Sequence, residues 1–109
     1  MSAKKKQVRA AFRDATFARD RYRCVGCDFE SSPARANGEL DAHHITDRTE
    51  MPNGGYVEEN GVSLCPSCHR KAEEFHSTGT AAPGFNPDEL YAKIGSSHRR
   101  AVEASEKLG

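Results

Sequence analysis

The chain has 109 residues, 36% hydrophobic and 29% charged, with a formal net charge of zero. That is room for one domain with a small core, which needs outside help with stability. No apolar run approaches a membrane span, and no apolar stretch follows the basic start Met1-Ser2-Ala3-Lys4-Lys5-Lys6, so neither a membrane anchor nor a secretory signal is expected. The expected compartment is the cytoplasm, where cysteines serve as metal ligands rather than disulfides.

The zero net charge hides an asymmetry. Residues 1–23 hold eight Lys and Arg against two Asp, residues 24–64 hold two Arg against eight Asp and Glu, and residues 65–109 balance at six each. A basic arm beside an acidic, ligand-rich centre suits a protein that grips a polyanion and also holds cations. A solvated helix face with a charged tail gives the same numbers.

In chain order, Val8, Ala11, Phe12 and Ala15 recur at helical spacing and predict a basic N-terminal helix over about 5–20. Tyr22 to Phe29 carries a cysteine pair in a tight knuckle, and Ser31 to Gly38 reads as a loop. Leu40 to Ile45 and Val62 to Leu64 read as short strands, joined by a long polar connection with turn chemistry at Pro52-Asn53-Gly54-Gly55. A helix is expected over Pro66 to His76, with Pro66 in its first turn. A loop follows to Phe85, then a helix start at Asn86-Pro87-Asp88-Glu89 that stops near Gly95. Ser97 to Leu108 reads as a last, largely polar and frayed helix.

Cys24-Val25-Gly26-Cys27 and Cys65-Pro66-Ser67-Cys68 are two C-x2-C pairs with 37 residues between them. Two intervening residues let both thiolates of a pair reach one tetrahedral ion, so two pairs predict a four-thiolate structural zinc. Gly26 and Pro66 fit the tight backbone this needs. Such a site is closed and performs no catalysis.

Between the pairs lies Leu40-Asp41-Ala42-His43-His44-Ile45. Asn60 comes 16 residues after His44, and His69 nine residues later, next to Cys68. With the Arg21-to-Cys27 knuckle, the Gly54-Gly55 loop, Val62-Ser63-Leu64-Cys65 and Cys68-His69-Arg70-Lys71, this order resembles the HNH, or ββα-metal, nucleases over about residues 19–76. The resemblance implies an α+β ββα-metal (HNH, His-Me finger) fold: a short antiparallel hairpin and a helix, zinc-stapled knuckles, and flanking helices. The length predicts one domain over 1–109; the resemblance places its nuclease core at about 19–76, and the helical extension at 86–109 lies outside the resemblance.

Phosphodiester hydrolysis needs a water nucleophile, a proton acceptor, and a cation for the charge on phosphate and leaving oxygen. In the family's layout His44 is the general base, and His43 and His69 hold a divalent ion: Mg, Mn or another metal. Asn60 either ligates that metal or braces the loop that orients His44. Family members often carry a further histidine four residues after the position of His69; this chain has Glu73 there, on the same helix face, as an optional ligand. His76, seven residues on, reads as a surface or packing residue. Adjacent residues of a regular strand face opposite ways, so the strand is expected to end or distort at His44 if both histidines share one site. DNA is the expected partner, contacted through its phosphates by Arg9, Arg13, Arg21, Arg23, Arg70 and Lys71, and a homodimer is a candidate assembly. The rival readings are a non-catalytic zinc-ribbon module that binds nucleic acid or a protein, and a degenerate nuclease fold kept for assembly.

Overall fold

Residues 3–10 are Ala, Lys, Arg and Gln except for Val8, with no Gly or Pro, and in the computed structural model a helix (α1) spans Ala3–Arg19. The structure describes residues 3–108; Met1, Ser2 and Gly109, the ends of the expected single-domain span, lie outside the described residues. The buried face of α1 is Phe12, Thr16 and Phe17. This is rotated from the expected stripe, and Ala11 is exposed. The cause is Gly61: a Cβ there would stand 2.5 Å from the Thr16 hydroxyl and 2.7 Å from the Phe12 ring. Only a residue without a side chain lets α1 lie this close, and the helix turns the Phe12–Thr16 line toward it. Arg19 fixes the docking. Its guanidinium donates to the Gly61 carbonyl (2.7 Å) and pairs with Asp20 (2.8 Å), whose carboxylate accepts the Ser63 amide (2.9 Å).

The chain leaves α1 through Arg21 and Tyr22, both left-handed at φ 57° and 59°, a conformation uncommon for side-chain-bearing residues. The first knuckle follows, then a single helical turn (α2, Ala36–Glu39) within the expected loop. Strands β1 (Asp41–His44) and β2 (Gly61–Leu64) pair antiparallel, with Asp41 opposite Leu64 and His44 opposite Gly61. The connection between them folds into three 3-10 turns, at Arg48–Glu50, Pro52–Gly55 and Glu58–Asn60. Asn53 and Gly54 supply the left-handed tip (φ 53° and 82°) that Asn-Gly favours.

Helix α3 (Pro66–Thr78) runs two residues past the expected end and stops at Gly79, left-handed at φ 79°. Both α1 and α3 pack on the hairpin. Helix α4 (Pro87–Lys93) starts where Asn86 accepts the Glu89 amide, and α5 (His98–Glu106) where Ser97 accepts the Arg100 amide. Contrary to the expected frayed end, α5 is docked: Ala101 and Ser105 are fully buried. Asn53 donates to the Ser105 carbonyl (3.0 Å), and Ser96 donates to the Glu59 carbonyl (2.8 Å). The extension therefore clasps the connection between the strands. Val62, Leu64, Ile45, Leu90 and Tyr91, each 2% exposed or less, belong to one apolar cluster. No helix among the described residues is long and apolar enough to cross a membrane.

Candidate zinc knuckle and histidine centre

The first knuckle is held to the hairpin by the Val25 amide, which donates to the Ser63 carbonyl (2.9 Å). The second is the junction of β2 and α3. Together they bring the sulfurs of Cys24, Cys27, Cys65 and Cys68 within 4.8 Å of one another. Four thiolates about 2.3 Å from a tetrahedral zinc stand about 3.8 Å apart, and the Cys27–Cys65 separation is 3.8 Å. Gly26 is required: a Cβ there would lie 3.0 Å from the Cys68 sulfur and 2.8 Å from the Phe85 ring. Burial raises the Cys68 and Cys24 thiols. Burial would raise Cys65 too, but hydrogen bonds from the Cys68 amide and the neighbouring thiols bring it down to about 7. Four crowded thiols with one acidified member are a donor set that fits zinc.

Strand β1 is regular through His44, which still pairs with Gly61. The strand ends at His44, one of the two expected outcomes, but without distortion, and the two histidines face opposite sides of the hairpin. His43, 1% exposed, points to α3. There one ligand atom each of His43, His69 and Glu73 lies within 4.8 Å of the others. Glu73 Oε1 is 3.1 Å from His69 Nε2 and 3.4 Å from His43 Nδ1. Among the described residues His43 Nδ1 is buried without a hydrogen-bond partner, as suits a nitrogen reserved for a cation. Two imidazoles and a carboxylate fit a divalent transition ion or Mn. Asp41 Oδ2 lies 3.3 Å from His69 Nδ1, on the ring's other side. Burial, then the neighbouring imidazoles, pushes His43 down to about 3, so it is neutral and able to ligate at neutral pH. His76 stacks 5.1 Å from the His43 ring, and its Nε2 is 2.9 Å from the His44 carbonyl; it packs in the centre without joining the ligand cluster.

His44 faces α1. Its ring stacks on Phe12 (4.6 Å) and meets the edge of Tyr56 (4.7 Å), and its Nε2 is buried with no hydrogen-bond partner among the described residues. Burial, followed by the Arg48 charge, lowers it to about 4. Tyr56 is in turn gripped by two cations. Arg48 donates to its hydroxyl (3.2 Å) and the Arg9 guanidinium lies 5.5 Å from its ring centre. Burial opposes them, yet the Arg48 hydrogen bond and the two charges hold the Tyr56 phenol below its usual range.

Asn60 is fully buried. Its Nδ2 donates to the carbonyls of Thr46 (3.0 Å) and Gly55 (3.3 Å), and its Oδ1 accepts the Thr46 amide (3.0 Å). Its own carbonyl accepts the Ile45 amide (2.9 Å). The side chain thus takes the place of one more rung of the sheet just after His44. Tyr91 of α4 donates a further bond to Asn60 Oδ1 (2.7 Å) and stands 2.7 Å from the Thr46 hydroxyl.

The basic residues are dispersed. Arg9 is beside the Tyr56–His44 pair. Arg13 pairs with Asp14 (3.2 Å), Arg23 with Glu30 (3.2 Å), and Lys71 lies over the Phe85 ring (5.6 Å). Arg21 and Arg70 are exposed. Sequence reasoning missed Phe12, Asp41, Arg48, Tyr56 and Tyr91. Tyr56 and Arg48 lie in the loop it had marked, and Asp41 is two residues before His43. Tyr91 carries no sequence signal toward Asn60.

A four-cysteine cluster, a two-stranded hairpin and a helix bearing a second ligand cluster together define a small ββα-metal domain. Residues 24–75 match the model of the HNH endonuclease family. No curated protein matches the chain, and no solved structure does.

Proposed function

We propose that the chain is a metal-dependent endonuclease that hydrolyses DNA phosphodiesters. The observation that supports it best is the His43–His69–Glu73 cluster, with donor atoms within 4.8 Å of one another, next in sequence to His44 with its unpartnered Nε2. His43 and His69 hold the divalent ion, with Glu73 as third ligand. That ion supplies a positive charge for the phosphate oxygens and the leaving group. His44, neutral at physiological pH, accepts a proton from the attacking water at Nε2. Phe12 and Tyr56 fix the plane of its ring, and Asn60 braces the backbone that follows it. Structural zinc on Cys24, Cys27, Cys65 and Cys68 holds the frame. Arg9, Arg13, Arg21, Arg23, Arg70 and Lys71 meet DNA phosphates, with the Arg9–Arg48 pair nearest His44. Each active site nicks one strand, and two copies together make a double-strand break. The unit is one domain: an HNH core at about 19–76, the basic helix before it, and the clasp at 86–109 after it.

The rival, a non-catalytic zinc-ribbon module, is favoured by the opposite facing of His43 and His44 on a regular strand. Single-turnover nicking of supercoiled plasmid across a Mn titration separates the two readings. His44→Ala should lose about 10²–10⁴-fold in rate at every Mn concentration, the contribution typical of a positioned general base. His43→Ala should be partly restored by more Mn. A wild-type chain that holds zinc and binds DNA but never cuts it sinks the nuclease reading.

A further inference from the structure

The helix that follows the family's segment reaches back into the histidine centre. Tyr91 is on α4, beyond the matched residues 24–75, and it is 2% exposed. Its hydroxyl has one hydrogen, which goes to Asn60 Oδ1 at 2.7 Å. The Thr46 hydroxyl at 2.7 Å must then donate to Tyr91. The result is a directed chain, Thr46 to Tyr91 to Asn60, that closes on Thr46 again where Asn60 Oδ1 accepts the Thr46 amide (3.0 Å). In a buried setting the two hydroxyl bonds, which run head to tail, polarise one another in the same sense. The ring orients both groups that end the His44 strand: the Asn60 amide that imitates a sheet rung, and the residue two beyond His44.

Without Tyr91, Asn60 Oδ1 keeps one bond and the Thr46 hydroxyl loses its acceptor. The Thr46 backbone is then free to shift, and His44 shifts with it. Two other contacts clasp the same connection, Asn53 to Ser105 and Ser96 to Glu59, but neither touches Asn60 or Thr46. Tyr91 is the point where the C-terminal extension acts on the histidine.

We infer that Tyr91 is a positioning residue for His44, acting through Asn60 and Thr46, and that the C-terminal extension is part of the catalytic apparatus. This rests on the nuclease reading for its kinetic consequence. Tyr91→Phe removes one oxygen and keeps the ring in the core. Displacing a reacting group by about 1 Å costs up to about 10²-fold, so a partial loosening should lower the single-turnover nicking rate about tenfold. The concentrations of plasmid and Mn at half-maximal rate should stay unchanged, as should zinc content. In the Asn60→Ala background Tyr91→Phe should add a smaller loss than in wild type, because only its bond with Thr46 is left to cut. The second readout needs no turnover: the ¹H–¹³C ring signals of His44 in the zinc-loaded protein, placed by the Phe12 and Tyr56 rings. Tyr91→Phe should move or broaden them while leaving the Phe85 signals in place. A folded Tyr91→Phe chain that cuts at the wild-type rate and keeps wild-type His44 signals overturns the inference. If no chain cuts DNA but the His44 signals still move, the positioning role stands and the nuclease reading fails.

Discussion

Lowering the pH should destabilise this protein through His44, and the size of the effect follows from its surroundings. Burial and the Arg48 charge put the folded imidazole at about 4, against 6.5 when unshifted. At pH 5.0 the unfolded chain carries that proton about 97% of the time and the folded chain about 10%. The unfolded state binds more protons, so stability is present in full above about pH 6.5 and is lost as pH falls toward 4. From pH 7.5 to 5.0 the ratio of protonation factors is about 30, or about 2 kcal/mol at RT ≈ 0.59 kcal/mol. His43, at about 3, adds a loss of the same sign. The perturbation that isolates His44 is His44→Gln, which cannot titrate. Urea unfolding of both proteins at pH 7.5 and 5.0, with zinc in excess, should find the variant losing about 2 kcal/mol less than wild type over that interval. Zinc release at low pH affects both chains and cancels in the comparison. Equal losses in the two proteins, or a His44 ring titration centred near 6.5, would refute the reasoning.

Two further outcomes follow from the sites. Elemental analysis of purified protein should find one zinc per chain, and Cys65→Ser should lose both the zinc and the cooperative fold, because metal binding and folding are coupled; a stable zinc-free fold would contradict this. Asp41→Asn should weaken Mn binding to the histidine cluster about 10–100-fold, the usual cost of removing a carboxylate that orients a ligating histidine, as read by calorimetry on the zinc-loaded protein. An unchanged Mn affinity would mean that the 3.3 Å approach of Asp41 to His69 orients nothing.

What the sequence determined by itself is what short-range chemistry controls. Cysteine spacing marks the two knuckles, because two thiolates of one knuckle can reach one ion. Pro66, Asn86-Pro87 and Gly95 bound helices through their own backbone preferences, and the order of His43, His44, Asn60 and His69 marks the hairpin and helix of the HNH segment. The tertiary structure decided which way things face and who touches whom. Gly61 set the rotation of α1, so Phe12 rather than Ala11 meets the hairpin and comes to lie on His44. Pairing with Gly61 kept β1 regular, so His43 and His44 took opposite sides. The bond from Tyr91 to Asn60 joins residues 31 apart, and the docking of α5 joins residues 52 apart. Neither pattern nor propensity encodes such contacts, because they exist only once burial has excluded water and left each polar group to find its partner inside the fold.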